Sequence, residues 1–183
     1  MKAFDYIPLY TYKDYKLWEG EWELIHGYPH AMSPSANRKH QFINTQLSHH
    51  IISLLKSKFT VCNDCEVYQD LDWIIDDSNV VRPDLMIVCG DFKEEFLGFP
   101  PVLIVEILSK STSMKDRNIK YNLYQSQQVK YYVLVNPESK TCEIFELKSG
   151  EYELRTNDDF FSLHKDCKLQ LDIPGFIASL NLS

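Results

Sequence analysis

Apolar residues recur at helical spacing over one long stretch. Ile43, Leu47, Ile51, Leu54 and Leu55 repeat every three or four positions, predicting a helix that runs to about Lys58. Ser33-Pro34-Ser35 breaks the chain before it and supplies a cap. Upstream, Thr11 followed three residues later by Asp14 reads as the start of a short helix ending near Trp18. Glu21 to Ile25 reads as a short strand, His26-Gly27 as a turn, and a second short strand follows toward Met32.

Beyond the long helix the period changes. Val67, Leu71, Trp73 and Ile75 share one face of an alternating segment in which Gln69 is the misfit, and Asp76-Asp77-Ser78-Asn79 makes a turn. Val80 to Val88 reads as one strand interrupted by Pro83. VLIVEIL, residues 102–108, is a near-continuous apolar run of the kind found in a strand covered on both faces. Residues 111–127 predict a helix capped by Ser111 or Thr112, and KYYVLV (130–135) predicts another buried strand. Strand 102–108, helix 111–127 and strand 130–135 form a βαβ-like unit, expected to be parallel and right-handed. Asn136-Pro137 starts a turn, CEIFEL and EYELR pair as a hairpin, and the tail carries a last strand near Leu169 with a helical turn after Pro174-Gly175. The whole reads as one mixed α/β domain over residues 1–183.

Composition narrows the function classes. The 183 residues carry a net charge of −7, which excludes a protein held on nucleic acid by bulk charge but not one with a local basic patch. No stretch approaches the roughly 20 apolar residues of a membrane span, and the amino-terminus lacks a long apolar signal core, so a cytoplasmic protein with no membrane association is expected. Cys62 and Cys65 have zinc-like spacing, but no second Cys or His pair follows at finger-like spacing. The five cysteines therefore read as buried or half-buried thiols in a reducing compartment.

The informative feature is a charge in an apolar strand. Glu106 lies inside VLIVEIL, where a buried carboxylate costs several kcal/mol unless it is paired, protonated or metal-bound. Asp84 follows Pro83 and precedes LMIV. Two carboxylates converging from adjacent strands suit a hard cation such as Mg²⁺ or Mn²⁺. By position alone Asp84 equally describes a solvated edge acid. Asp116, Lys120 and Tyr124 are four apart on one helical face, a spacing that also describes an ordinary surface ion pair.

RPDLMIV, followed by PPVLIVEILSKSTSMKDRNIKYNLYQSQQVKYYVLVNP, resembles the Uma-two family of endonucleases, which belongs to the PD-(D/E)XK group. WELIHGYPHAMSPS resembles the family's amino-terminal pattern, and His40 fits the histidine that opens its long helix. The resemblance covers roughly residues 20–137 in register and implies a restriction-endonuclease-like mixed sheet flanked by helices. It implies that Asp84 and Glu106 hold the metal together with the backbone carbonyl of Ile107. Leu108 stands where the group's lysine is usual, so the resemblance assigns that lysine's role to Lys120. Asp116 would orient Lys120 or bind at the rim, and Glu23 would be an additional metal-site acid. The sequence departs from the family at Gln128, where a glycine is usual, and at Asn136-Pro137, where Asp-Pro is usual.

The implied chemistry is metal-assisted phosphodiester hydrolysis of nucleic acid, DNA first, by a homodimer. Lys110, Lys115 and Arg117 would contact backbone phosphates. The alternative is a catalytically inactive protein that keeps the nuclease fold as a binding or dimeric scaffold. Retention of Asp84, Glu106 and Lys120 together favours the enzyme.

Overall fold

A computed structural model describes residues 8–32, 37–57, 60, 62, 64–109, 113–156 and 159–182. Their elements run α1 (Tyr12–Tyr15), β1 (Trp22–Ile25), β2 (Tyr28–Ala31), α2 (Arg38–Leu55), β3 (Cys65–Gln69), β4 (Trp73–Asp76), β5 (Asn79–Val81), β6 (Leu85–Cys89) and β7 (Leu103–Ile107). A π-helical turn (Lys115–Lys120) leads into α3 (Tyr121–Ser126). Next come β8 (Tyr131–Asn136), β9 (Thr141–Lys148), β10 (Glu151–Leu154), β11 (Phe160–His164), β12 (Cys167–Gln170) and α4 (Ile173–Ser179).

A six-stranded sheet in the order β10-β9-β8-β7-β6-β3 forms the centre, with β7 and β8 parallel and the other pairs antiparallel. The parallel pair is joined through the π turn and α3, as the βαβ reading required. Strand alternation sends Leu85, Ile87, Leu103, Val105, Tyr131 and Val133 to one face, where they pack under Ile43, Leu47, Ile51 and Leu55 of α2. Met86, Ile104, Tyr132 and Leu134 go to the other face and meet Trp73, Leu123 and Tyr124. Glu106 shares the parity of Ile104, so it points to this second face, toward α3. A smaller antiparallel sheet, β2-β1-β5-β4, and the β11-β12 hairpin complete the strands among the described residues. Among them no helix is long and apolar enough to cross a membrane.

Two expected strands are each divided. The segment from Val67 to Ile75 splits into β3 and β4, which belong to different sheets; Asp70, at φ 51, turns the chain between them. Val80–Val88 likewise splits into β5 of the small sheet and β6 of the central one. Pro83 has no N–H to give a ladder, so Arg82-Pro83-Asp84 becomes the crossing between sheets rather than a flaw within one strand.

Other expectations are adjusted locally. Asn37 caps α2, its side chain accepting from His40 N at 3.0 Å; the cap expected at Ser33–Ser35 lies outside the described residues, as do Ser111 and Thr112. The helix expected over 111–127 opens as a π turn before becoming α-helical. Gln128, in place of the family's glycine, adopts the left-handed conformation at φ 61 that a glycine would take without strain. Asn136 accepts from the backbone N–H of Glu138 at 3.0 Å, doing the turn-closing work of an aspartate. The tail contains a hairpin, not a single strand; Phe160-Phe161 side by side break the alternation of the short segment that forms β11.

The cysteine reading is corrected more sharply. Cys62–Cys167 and Cys65–Cys89 are disulfides, and only Cys142 is a free thiol. Sequence separations of 105 and 24 hid both pairings: β3 meets β6 in the central sheet, and the β11–β12 hairpin carries Cys167 to Cys62.

Candidate active site

The register of the central sheet places the acids. Leu85 pairs with Val105 across β6 and β7, so the next step of the same register sets Asp84 opposite Glu106. Asp84 Oδ2 accepts a 2.6 Å hydrogen bond from Ile107 N, which fixes the carboxylate at the end of β7. His40, in the first turn of α2, brings Nε2 to 3.1 Å from the same oxygen. Asn44, one turn further on, donates to the Asp84 carbonyl at 3.0 Å. Helix α2 thus holds the backbone and side chain of Asp84 from the opposite side to Glu106.

Glu106 is 3% exposed. Its Oε1 accepts from Lys120 Nζ and from the Tyr124 hydroxyl, both at 2.8 Å. Lys120, 2% exposed, also lies 2.7 Å from Glu23 Oε1 and 3.9 Å from Asp116 Oδ1. Asp116, Lys120 and Tyr124 therefore share one inward face, as their spacing allowed. The π turn carries Asp116 and Lys120 side by side into the interior, a local widening often found at functional sites. Tyr132 donates its hydroxyl to the Asp116 carbonyl at 2.9 Å and so braces that turn from the floor of the sheet.

Glu23 arrives from β1 and is fully buried. Its Oε1 accepts from Arg82 N at 3.0 Å as well as pairing with Lys120, and its Oε2 pairs with Lys115. Glu23 therefore anchors two lysines. Lys115, expected among the phosphate contacts, is turned inward to Glu23; Arg117 stays at the surface and pairs with Glu143. Lys110, the third expected contact, lies outside the described residues. The structure thus brings together Asp84, Glu106, Lys120, Asp116, Glu23, His40 and Ile107, and leaves Arg117 apart.

One acid escaped the sequence reading. Gln69 pairs with Leu85 at the end of β3, so Asp70, the residue after it, comes near Asp84 and joins the acids of the site. Burial and the Asp84 charge push the Asp70 carboxyl up, with His40 opposing them. The signal was present in the alternation, which failed at Gln69.

The charges explain the titration of the site. Burial is the largest influence on Glu106 and, with Asp116, Asp84 and Glu23 nearby, raises its carboxyl well above the usual range despite Lys120. Burial alone would lower Lys120; Glu106, Glu23 and Asp116 instead hold its ammonium firmly protonated. Burial opposes the charge on Glu23 too, but Lys120 and Lys115 overcome it and keep that carboxyl ionised. The region carries more carboxylates than lysines, and they are hard oxygen donors. This donor set fits Mg²⁺ or Mn²⁺, which would relieve the excess negative charge that now favours a proton on Glu106. Among the described residues no group of three His, Cys or carboxylate ligands gathers at these acids.

A mixed sheet with acids at the ends of two adjacent strands and a lysine delivered from the following helix defines a nuclease-like α/β fold. Residues 12–181 match the Uma2 family model, described as "Putative restriction endonuclease", and the chain belongs to that family. It is 31% identical over 126 residues to the uncharacterized protein slr1290 of Synechocystis sp., covering 58% of this chain and 65% of that protein's length. Its fold is similar to the crystal structure of a putative nuclease belonging to DUF820 from Anabaena variabilis, with a TM-score of 0.66, 17% identity and 94% of each chain covered.

Proposed function

We propose that the protein is a metal-dependent nuclease that hydrolyses phosphodiester bonds of DNA. The observation that carries this reading is the hydrogen bond that ties the Asp84 carboxylate to Ile107 N, next to Glu106, with Lys120 on the Glu106 carboxylate. Asp84, Glu106 and the carbonyl of Ile107 are the residues that would hold Mg²⁺ or Mn²⁺. The ion would polarise a phosphate oxygen and make a bound water more acidic.

The chain's own groups do the positioning. The Ile107 N–H and His40 orient Asp84, while Tyr124 and Lys120 orient Glu106. Lys120 supplies a fixed positive charge to the developing negative charge on phosphorus. Glu23 and Asp116 keep that ammonium in place and protonated. Arg117, Lys115 and Lys110 would meet backbone phosphates; Arg117 and Lys115 would exchange Glu143 and Glu23 for them. A cytoplasmic homodimer acting through one domain per chain is the form in which we expect the enzyme to work.

The test is cleavage of supercoiled plasmid and of single-stranded DNA with Mn²⁺ or Mg²⁺, beside a small phosphodiester that is not a nucleic acid. Metal-dependent nicking of DNA is the expected result. Turnover of the small ester alone would replace the nuclease reading with a different phosphohydrolase. Metal binding with no turnover of any substrate would leave the scaffold reading.

A further inference from the structure

The sequence has a C-x₂-C pair, Cys62-Asn63-Asp64-Cys65, and about a hundred residues later an H-x₂-C pair, His164-Lys165-Asp166-Cys167. The fold closes the distance. Cys65 opens edge strand β3, while His164 and Cys167 flank the tight turn of the β11–β12 hairpin. Cys65 N donates to the Cys62 carbonyl at 3.2 Å, folding the first pair into a turn of its own. The donor atoms of Cys65, His164 and Cys167 all lie within 4.8 Å of one another, and Cys62 is bonded directly to Cys167. Two short turns thus bring three donors to one point, with the Cys62 sulfur bonded to one of them.

We propose that in the reduced protein Cys62, Cys65, Cys167 and His164 form a structural Zn²⁺ site. Three thiolates and an imidazole make a closed tetrahedral set of the structural type. At Zn–S distances of about 2.3 Å the sulfurs of a tetrahedral site stand about 3.8 Å apart. Cys65 Sγ and Cys167 Sγ already stand 4.0 Å apart. His164 Nε2 bonds Asp64 Oδ1 at 2.8 Å, so a carboxylate from within the first turn orients the imidazole; Nδ1, which accepts a long 3.5 Å hydrogen bond from Asp166 N, would exchange that contact for the metal. The three cysteines are at most 4% exposed, so the ion would be shielded from water on the sulfur side.

The disulfides and the metal are alternative states of the same sulfurs. Reducing both disulfides takes four electrons: four equivalents of a cellular monothiol become two of its disulfide, and four cysteine thiols result. Cys62, Cys65 and Cys167 then each release one proton to bind Zn²⁺, His164 binds as the neutral imidazole, and Cys89 remains a thiol. The bound ion would fasten the β11–β12 hairpin to edge strand β3. The site is independent of the carboxylates: Asp84 precedes β6 and Cys89 ends it, a separation of about 17 Å along the strand.

The experiment loads the reduced full-length chain with Zn²⁺, removes unbound metal and measures Zn by elemental analysis, then repeats the loading with Co²⁺ for its optical spectrum. One Zn per chain and a tetrahedral Co²⁺ spectrum with a thiolate charge-transfer band are expected. Cys89→Ser and Glu106→Gln should retain that metal, and His164→Ala and Cys167→Ser should lose it. Because His164 is partly exposed, its replacement leaves the core intact, and the wild-type spectrum decides without any variant. Absence of stoichiometric metal in the reduced wild type would overturn the proposal. So would retention by His164→Ala together with loss by Cys89→Ser, which would assign a four-thiolate site instead.

Discussion

Asp84 Oδ2 accepts a 2.6 Å hydrogen bond from the backbone N–H of Ile107, so the acid at the head of β6 is tied to the strand that carries Glu106. The bond gives Asp84 a structural share besides its proposed metal-binding one, and the two are separable. Asp84→Ala leaves the Ile107 N–H and His40 without their acceptor and should cost about 1–3 kcal/mol of metal-free stability. Asp84→Asn keeps one acceptor oxygen for Ile107 and should cost less, while still weakening Mn²⁺ binding by removing the carboxylate charge. Urea unfolding and calorimetric titration of the two variants measure the two losses.

Lys120 is enclosed by Glu23 and Glu106. Removing one partner of a buried ionic cluster strands the others, so Lys120→Met should destabilise the fold by about 3–5 kcal/mol. Adding Glu106→Gln should recover part of that loss, because it removes one of the stranded charges. A double-mutant cycle in denaturant checks this; strictly additive losses would contradict the coupling.

Glu106 also sets a pH dependence. Its carboxyl is raised in the folded state, so between the ordinary glutamate range and its folded value the native protein holds a proton that the unfolded chain has released. Metal-free stability should therefore fall as pH rises through that window. His40 acts in the same direction. Burial opposes its charge, but the Asp84 carboxylate prevails and raises it, so its contribution is complete below about 6.5 and disappears as pH rises through its folded value. Glu106→Gln should remove the part of the fall that Glu106 contributes and leave the His40 part. Thermal midpoints measured across pH in chelator report the difference.

Gln128 holds a left-handed backbone at φ 61 beside buried Val129. Gln128→Gly removes the steric cost and should raise stability by about 0.5–1 kcal/mol, less the lost side-chain bond to the Gln125 carbonyl. A lower unfolding midpoint would show that this bond outweighs the strain.

Features carried by local pattern were legible in the sequence. The period of Ile43, Leu47 and Ile51 defined α2, the apolar run around Glu106 defined a strand covered on both faces, and the spacing of Asp116, Lys120 and Tyr124 predicted a shared face. Features created by nonlocal register were not. Asp70 joins the acids of the site only because β3 lies beside β6, although the broken alternation at Gln69 marked the place. Lys115 looked like a solvated cation because nothing in its neighbourhood announces that β1 will deliver Glu23 beneath it. The partners of Cys62 and Cys65 were likewise set by sheet order and by a hairpin a hundred residues away.

Asp84 and Glu106 are proposed to hold the metal for phosphodiester cleavage. The most direct measurement of this is Mn²⁺-dependent nicking of supercoiled plasmid by the wild type and by Glu106→Gln purified side by side, with Mn²⁺ affinity measured on the same samples. Nicking and Mn²⁺ binding are expected of the wild type, and loss of both in the folded variant. Equal nicking by the two proteins, or unchanged Mn²⁺ affinity in Glu106→Gln, would contradict it.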